Sequence, residues 1–202
     1  KIYNTLESFK FSDREILDFK IEKDLNKFDI IILFSSLKLS DRRKGLHELK
    51  SCLKYYDNLA VKNSKIGLIT LGNENNTIFK TKKIEHIHIN YIENFKQLNL
   101  LFKSCNIFLN LSKSDFGPVL CEIAFRNDLY ILSSNTGIAP EIVMNNLNGF
   151  IYNNKNEMNI KFAKLIDLCS KNYKPDYNSQ TLEMKNIYET KKDLQFNELF
   201  NE

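Results

Sequence analysis

Two strand–loop–helix patterns follow each other between residues 107 and 150, and they limit the possible folds more than any other feature. In the first, an apolar run at 107–109 ends in a polar loop, and a helix is predicted over 119–125. Gly117 fits the N-cap of this helix and Pro118 fits its first position. In the second, the apolar run 130–132 leads into another short helix. Two such units in succession indicate parallel strands whose loops meet at one edge of a sheet.

The same alternation extends along the rest of the chain. An uninterrupted apolar run of strand length, as a buried parallel strand requires, occurs at 30–34, and further strands are predicted at 66–71, 84–89 and 150–152. Segments with helical spacing of apolar residues occur at 14–23, 45–58, 98–102 and 157–169. This pattern predicts the α/β class, with a Rossmann-like parallel sheet, helices on both faces and right-handed crossovers.

Length and composition favour a single domain. The 202 residues, 43% of them hydrophobic, are enough for a substantial core. We expect a lead-in over 1–28, a Rossmann-like domain over 29–170 and a helical tail over 171–202. No run approaches the roughly twenty apolar residues that a bilayer-spanning helix needs. The chain begins with Lys1 and without an apolar signal core, which indicates a segment of a longer protein.

Charge, cysteine and histidine usage exclude several classes of function. The net charge of +4 is spread along the chain, whereas a nucleic-acid-binding protein has a denser basic stripe. His86 and His88 alternate with isoleucines, which predicts exposed strand positions rather than a metal site. The cysteines form no C-x-x-C pair and fit reduced core residues of a cytoplasmic protein. They are Cys52, Cys105, Cys121 and Cys169.

The helix predicted at 119–125 suggests an anion site. The N–H groups at a helix start favour phosphate, and loops at the carboxyl edge of a parallel sheet are where such folds bind ligands. Glu122 lies about one turn into the helix, where its carboxylate could accept hydrogen bonds from sugar hydroxyls of a ligand. The alternative is that Glu122 only complements the helix dipole.

A basic segment precedes the helix predicted at 45–58. Arg43 and Lys44 stand at a strand-to-helix junction, where the helix dipole favours acids instead. This mismatch indicates a functional role, such as binding an anion. A solvated basic loop without a ligand is the alternative.

The loop and helix from Ser114 to Glu122 resemble a known signature, together with 130–137, Pro140-Glu141 and Asn148-Gly149-Phe150. The signature is that of group 1 nucleotide-sugar glycosyltransferases of the GT-B fold, in which E-x7-E contains F-G. Phe116-Gly117 and Glu122 match it. Ser114 stands in the place of the first acid, with Asp115 beside it. This variant is similar to bacterial members that build surface polysaccharides.

The resemblance implies that the chain is the C-terminal, donor-binding half of such an enzyme. Residues 1–28 would then follow the interdomain hinge, 29–170 would bind the nucleotide sugar, and the N-terminal domain would be missing. Arg43 and Lys44 would bind the donor diphosphate and act in catalysis with Glu122, and Tyr91 and Ile92 would contact the base. The remaining donor-binding positions would be Ser114, Asp115, Phe116, Gly117, Pro118 and Val119.

The activity implied is retaining transfer of a sugar to a hydroxyl of a glycan or lipid-linked glycan, in surface polysaccharide or lipopolysaccharide synthesis. No cofactor and no metal are expected. The missing domain would supply the acceptor side and any peripheral contact with the inner face of the membrane, so this segment alone would be inactive. Two alternatives stay open: a sugar-nucleotide epimerase or phosphorylase, and a non-catalytic nucleotide-binding or scaffold module, which Ser114 favours.

Overall fold

A computed structural model describes residues 9–38, 40–60, 64–73, 79, 81–114 and 119–176. The described residues form one sheet flanked by helices. The strands are β1 (Ile30–Ser35), β2 (Ile66–Leu71), β3 (Ile84–Ile89), β4 (Ile107–Asn110), β5 (Tyr130–Ser134) and β6 (Gly149–Tyr152). The α-helices are α1 (Asp13–Glu22), α2 (Leu46–Asp57), α3 (Phe95–Lys103), α4 (Val119–Arg126), α5 (Ala139–Ile142) and α6 (Lys155–Ser170). A 3-10 turn, Arg42–Lys44, precedes α2.

The six strands are all parallel and stand in the order β3-β2-β1-β4-β5-β6. The first three strands of the chain therefore extend the sheet in one direction and the last three in the other. β1 and β4 meet at this reversal, with Ile32 opposite Ile107 and Phe34 opposite Leu109. The predicted Rossmann-like parallel sheet is confirmed.

Both faces of the sheet are covered, because side chains of successive strand residues point to opposite faces. In β1, Ile32 and Phe34 belong to the core beneath α2 and α6. Ile31 and Leu33 belong to the core beneath α1, α3, α4 and α5. The two apolar layers explain why the sequence of β1 is continuously hydrophobic rather than alternating.

Helix α1 and the residues that follow it pack against the core that contains Ile31 and Leu33. Ser12 and Glu15 form a capping box at the start of α1, with Ser12 Oγ accepting the Glu15 N–H at 3.3 Å. Phe19 and Leu25 are buried in the core. The tail predicted over 171–202 lies outside the described residues except for 171–176, where the Asp176 N–H donates to Leu147 O at 3.0 Å. The predicted domain boundaries stay predictions.

The expectation that His86 and His88 are exposed is wrong. Both are half-buried, because Thr70 of β2 lies between them and the Phe79 ring packs edge-on against His86. Thr70 Oγ1 lies 2.8 Å from His86 Nε2 and 3.1 Å from His88 Nδ1. Burial, and to a lesser extent His88, lowers the pKa of His86. Within the described ranges, no group of three or more histidine, cysteine or acidic residues could hold a metal ion.

The four cysteines form no disulfide with one another in the described part of the chain, and Cys52, Cys105 and Cys121 are buried. Burial raises the pKa of Cys105 to about 12, so this thiol stays protonated and behaves as an apolar core group. Among the helices of the described part, none has both the length and the apolarity needed to cross a lipid bilayer.

Asn148 holds the connection between α5 and β6, and its replacement tests the fold. It is 0% exposed; its Oδ1 accepts the Met144 N–H at 2.7 Å and its Nδ2 donates to Ile142 O at 2.8 Å. Asn148→Ala leaves both backbone groups without this partner, so we expect a loss of about 1 to 3 kcal/mol in the free energy of unfolding. Urea denaturation measures it. Asn156→Ala, at an exposed position of α6, is the control and should change stability little; equal effects would contradict the role of Asn148.

Candidate functional site

The loops that follow β1 and β4 meet at the carboxyl edge of the sheet, since these two strands are neighbours. The Lys113 N–H donates to Arg43 O at 2.8 Å. Gly45 has a left-handed backbone (φ 87°), and a Cβ placed there would overlap the carbonyl oxygen of Leu111. These two contacts hold the 3-10 turn directly against the start of the β4–α4 loop.

Asp41 organises the 3-10 turn and orients Arg43. Its Oδ1 accepts the Arg43 N–H at 2.9 Å, and its Oδ2 lies 2.8 Å from Arg43 Nη2. Hydrogen bonds from the Arg43 side chain and then its N–H hold the pKa of Asp41 below its ordinary value. The Arg43 side chain is 72% exposed, whereas Lys44 is half-buried.

Neither this turn nor the role of Asp41 was predicted from the sequence, and α2 begins at Leu46, one residue after the predicted start at Gly45. The available signal was an aspartate two residues before an arginine, because aspartate often caps short helical turns. The cations therefore lie in a separate capped turn rather than in the first turn of α2.

The β4–α4 loop is described only in part. Ser112 is buried, and its carbonyl oxygen accepts the Ser134 hydroxyl at 2.6 Å. Lys113 and Ser114 are exposed. Val119 begins α4 and is exposed. The remaining predicted donor-binding positions of this loop lie outside the described residues; they are Asp115, Phe116, Gly117 and Pro118.

Glu122 is buried, with 3% exposure, in the first turn of α4. Its Oε1 accepts a hydrogen bond from Arg126 Nε at 3.1 Å, one turn further along the helix. Burying a carboxylate is costly unless it is paired, so this ion pair accounts for its position. Its predicted role toward a ligand stays a prediction.

Tyr91 and Ile92 follow β3, which lies two strands away from β1. Parallel strands are roughly 4.8 Å apart, so the two loops are separated by roughly 10 Å along the same edge. Tyr91 is 53% exposed, and Ile92 packs against the core. Both line an open cleft of about 920 Å³ between this loop and α1. The structure thus places the predicted base-contacting residues beside, and not within, the junction of the β1 and β4 loops.

A second cleft, of about 370 Å³, was not predicted from the sequence. It lies between the first turn of α2, the start of the β4–α4 loop and the loops after β5 and β6, and we call it the Glu48 cleft. Burial raises the pKa of Tyr152 in its wall, with smaller contributions from Cys52 and Glu48. The polar residues of the loop after β5 were the sequence signal from which this cleft could have been predicted.

Gly45→Ala tests the contact between the two loops. The substitution strains the left-handed backbone and pushes a methyl group into Leu111, so we expect a loss of about 2 kcal/mol or more in the free energy of unfolding. Urea denaturation provides the measurement. Arg42→Ala, in the same turn but exposed, serves as the control and should stay within about 0.5 kcal/mol of the unaltered protein. An unchanged stability in Gly45→Ala would show that the two loops are not in contact.

Comparison with solved structures supports this fold. Anabaena HepE in complex with UDP and glucose has a TM-score of 0.69 at 16% identity, covering 99% of this chain and 56% of that chain. The C-terminal domain of LpcC, a group 1 glycosyl transferase from Francisella tularensis, has a TM-score of 0.60 at 15% identity, covering 90% and 96%. WaaG, a glycosyltransferase involved in lipopolysaccharide biosynthesis, has a TM-score of 0.58 at 10% identity, covering 82% and 45%.

The chain spans about half the length of HepE and WaaG. No curated protein matches it significantly. The family model for glycosyl transferases group 1 matches residues 13–182, which is most of the chain. The protein therefore belongs to the group 1 glycosyl transferases, and its fold is that of the C-terminal domain of GT-B enzymes.

Proposed function

We propose that this protein binds a nucleotide-diphosphate sugar at the carboxyl edge of β1 and β4 and is the donor-binding half of a retaining glycosyltransferase. The observation that carries this proposal is the hydrogen bond from Lys113 N–H to Arg43 O. It joins the turn that bears Arg43 and Lys44 to the loop that leads into α4. The cations are thus held next to the loop that leads to the start of α4, where helix N–H groups favour an anionic ligand.

The diphosphate is the leaving group of the reaction, and negative charge builds on it as the glycosidic bond breaks. Cations held in advance of the reaction stabilise such charge without reorganisation. Asp41 holds Arg43 through Nε and Nη2. A guanidinium has five N–H donors, so this pairing is compatible with a contact to phosphate. Arg43 and Lys44 therefore act as charge-stabilising groups, with no metal ion and no other cofactor required.

The rest of the donor is assigned to the neighbouring loops. Tyr91 and Ile92 lie roughly 10 Å from the β1 loop, a distance that a nucleoside can span between its base and its diphosphate. Glu122 accepts hydrogen bonds from hydroxyl groups of the donor, and the phosphates are assigned to the positions from Ser114 to Val119. That HepE was crystallised with UDP and glucose supports a nucleotide-sugar donor.

The acceptor is a hydroxyl of a glycan or lipid-linked glycan, in surface polysaccharide or lipopolysaccharide synthesis. The role of WaaG in lipopolysaccharide biosynthesis supports this assignment. Because GT-B chemistry takes place between two domains, an N-terminal domain supplies the acceptor side, and transfer requires both halves. The complete enzyme works in the cytoplasm, at the inner face of the membrane.

A non-catalytic nucleotide-binding module is the second candidate function. It is favoured by Ser114, which is exposed at the position where the family signature has an acid. Such a module should bind nucleosides and nucleoside diphosphates alike. The experiment on Arg43 and Lys44 separates the two candidates.

Neutralising the cations should weaken binding of the diphosphate selectively. We expect Arg43→Gln and Lys44→Gln each to lower the affinity for the best-bound of UDP, GDP and TDP by about tenfold, and to leave nucleoside affinity unchanged. Added salt should reduce this loss of diphosphate affinity, because salt screens the interaction between the cations and the phosphates. Isothermal titration calorimetry measures these affinities, with Arg42→Gln as the control for loss of a neighbouring exposed cation. Equal losses for nucleoside and diphosphate would contradict a phosphate role and favour the binding module.

Glu122→Gln tests the carboxylate of α4. A hydrogen bond from a ligand hydroxyl to a charged group contributes roughly 1.5 to 3 kcal/mol, so we expect at least about a tenfold loss of nucleoside diphosphate affinity. The pairing with Arg126 means that stability falls as well. Calorimetry below the unfolding transition separates the two effects. A loss of stability with unchanged affinity would assign Glu122 to the core alone.

A further inference from the structure

Two histidines of the edge strand β3 share one hydroxyl group of the neighbouring strand. Thr70 is 0% exposed, and its Oγ1 lies 2.8 Å from His86 Nε2 and 3.1 Å from His88 Nδ1. Phe79 packs edge-on against His86, with the ring centroids 4.8 Å apart. His88 Nε2 is buried and has no hydrogen-bond partner in the described structure. Thr70 is therefore the group that holds both rings in place.

The shared hydroxyl suits two neutral rings and not a charged one. A threonine hydroxyl has one proton, so Thr70 donates to one ring nitrogen and accepts the N–H of the other ring. A neutral imidazole has one N–H and one acceptor nitrogen, so both contacts are satisfied. Protonation of either ring adds a donor, and the surplus proton is left at Thr70 Oγ1 or at the buried His88 Nε2. An unsatisfied buried donor is costly, so the closed arrangement favours neutral histidines.

The strands around the pair supply no compensating negative charge. β2 contains no charged residue. On β3, Glu85 points to the opposite face and pairs with Lys27 at 2.7 Å. Burial lowers the pKa of His86, and the charge of His88 lowers it further. Each histidine therefore makes protonation of the other less favourable.

The charged groups at the end of α2 and in the segment before β3 have other partners. Asp57 accepts the N–H groups of Lys82 and Lys83, at 3.1 and 3.2 Å. Lys83 Nζ donates to the Tyr56 carbonyl at 3.4 Å and lies over the Tyr56 ring. Hence no carboxylate of these described segments is available to pair with a charged histidine.

The end of β3 is connected to two loops of the proposed donor site. Tyr91 and Ile92 follow β3 directly, three and four residues after His88. The Gly72 N–H donates to Ile89 O at 3.1 Å. A Cβ on Gly72 would overlap the carbonyl oxygen of Ser36, at the start of the loop after β1. A change in the position of the end of β3 therefore affects both loops.

We propose that His86, His88 and Thr70 form a proton-sensitive latch, which holds the end of β3 and the following loop while the rings are neutral and releases them on acidification. The effect on donor binding rests on the proposed function, whereas the latch itself does not. An exposed histidine has a pKa of about 6.5, and that of His86 is lower in the closed form. The stabilisation by the latch is thus complete above about pH 6.5 and is lost as the pH falls further.

Hydrogen exchange of backbone amides tests the latch without any ligand. At about pH 5.5, the opened form should gain up to about tenfold for each histidine that stays neutral in the closed form. From about pH 7.5 to about pH 5.5, and after correction for intrinsic rates, protection of the β3 amides should therefore fall at least about threefold more than that of the β5 amides.

The double variant His86→Gln/His88→Gln removes the titration and keeps groups that can donate and accept hydrogen bonds. In this variant the extra loss of protection in β3 should disappear. His47→Gln is the matched control, because His47 is an exposed histidine of α2, and it should behave like the unaltered chain. An equal loss in the unaltered chain and the double variant, or no loss in the unaltered chain, would overturn the latch. If the double variant does not fold, His88→Gln alone should reduce the loss, and an unreduced loss would have the same meaning.

Sugar-nucleotide affinity tests the connection to the donor site. UDP-glucose and GDP-mannose serve as probes, because a diphosphate esterified at both ends does not titrate over this pH range. Calorimetry should show at least about a threefold loss of affinity at about pH 5.5 in the unaltered chain and in His47→Gln, and no such loss in the double variant. Loss of β3 protection without a change in affinity would contradict the connection to the donor site. A chain that binds neither probe at either pH would refute the proposed function, while hydrogen exchange would still decide on the latch.

Discussion

The pairing of β1 with β4 is the constraint on which the functional part of the molecule depends. Ile32, Leu33 and Phe34 lie opposite the residues of β4 at the point where the strand order reverses. The chain leaves both strands at the same edge and turns toward opposite faces, to α2 and to α4. A crevice between diverging connections is where open α/β sheets bind ligands. The sugar-nucleotide site proposed here is a consequence of that topology.

The strands could be predicted almost to the residue, and the reason is physical. A central parallel strand covered on both faces is apolar throughout, and the edge strand β3 alternates regularly, so the sequence signal of each is local. Long helices were also predictable from their apolar spacing. The 3-10 turn Arg42–Lys44 was not predicted: its cap from Asp41 is a local signal, but the close approach of Gly45 to Leu111 is not. A contact between residues distant in sequence leaves no periodic pattern.

Some features of the candidate site could likewise be predicted from the sequence, and others could not. Functional roles could be proposed for Arg43 and Lys44 because basic residues are unexpected just before a helix. A role could be proposed for Glu122 because it matches the family signature. The pairing of Glu122 with Arg126 could also have been read from their spacing of four residues on a helix. The pairing of Glu48 with Lys113 could not, since it joins two loops that only the folded sheet brings together. His86 shows the converse error: alternation predicts which face a side chain occupies, but not what covers that face.

Two of the cations at the junction of the β1 and β4 loops are held by carboxylates that fix their direction. Asp41 binds the Arg43 guanidinium, and Glu48 binds Lys113. Such partly exposed ion pairs contribute little to stability, because water screens them and ordering the side chains costs entropy. Their effect is on geometry instead. A cation already restrained near its working position loses less freedom when a diphosphate arrives, so more of the interaction energy remains for binding and for the charge that develops during transfer.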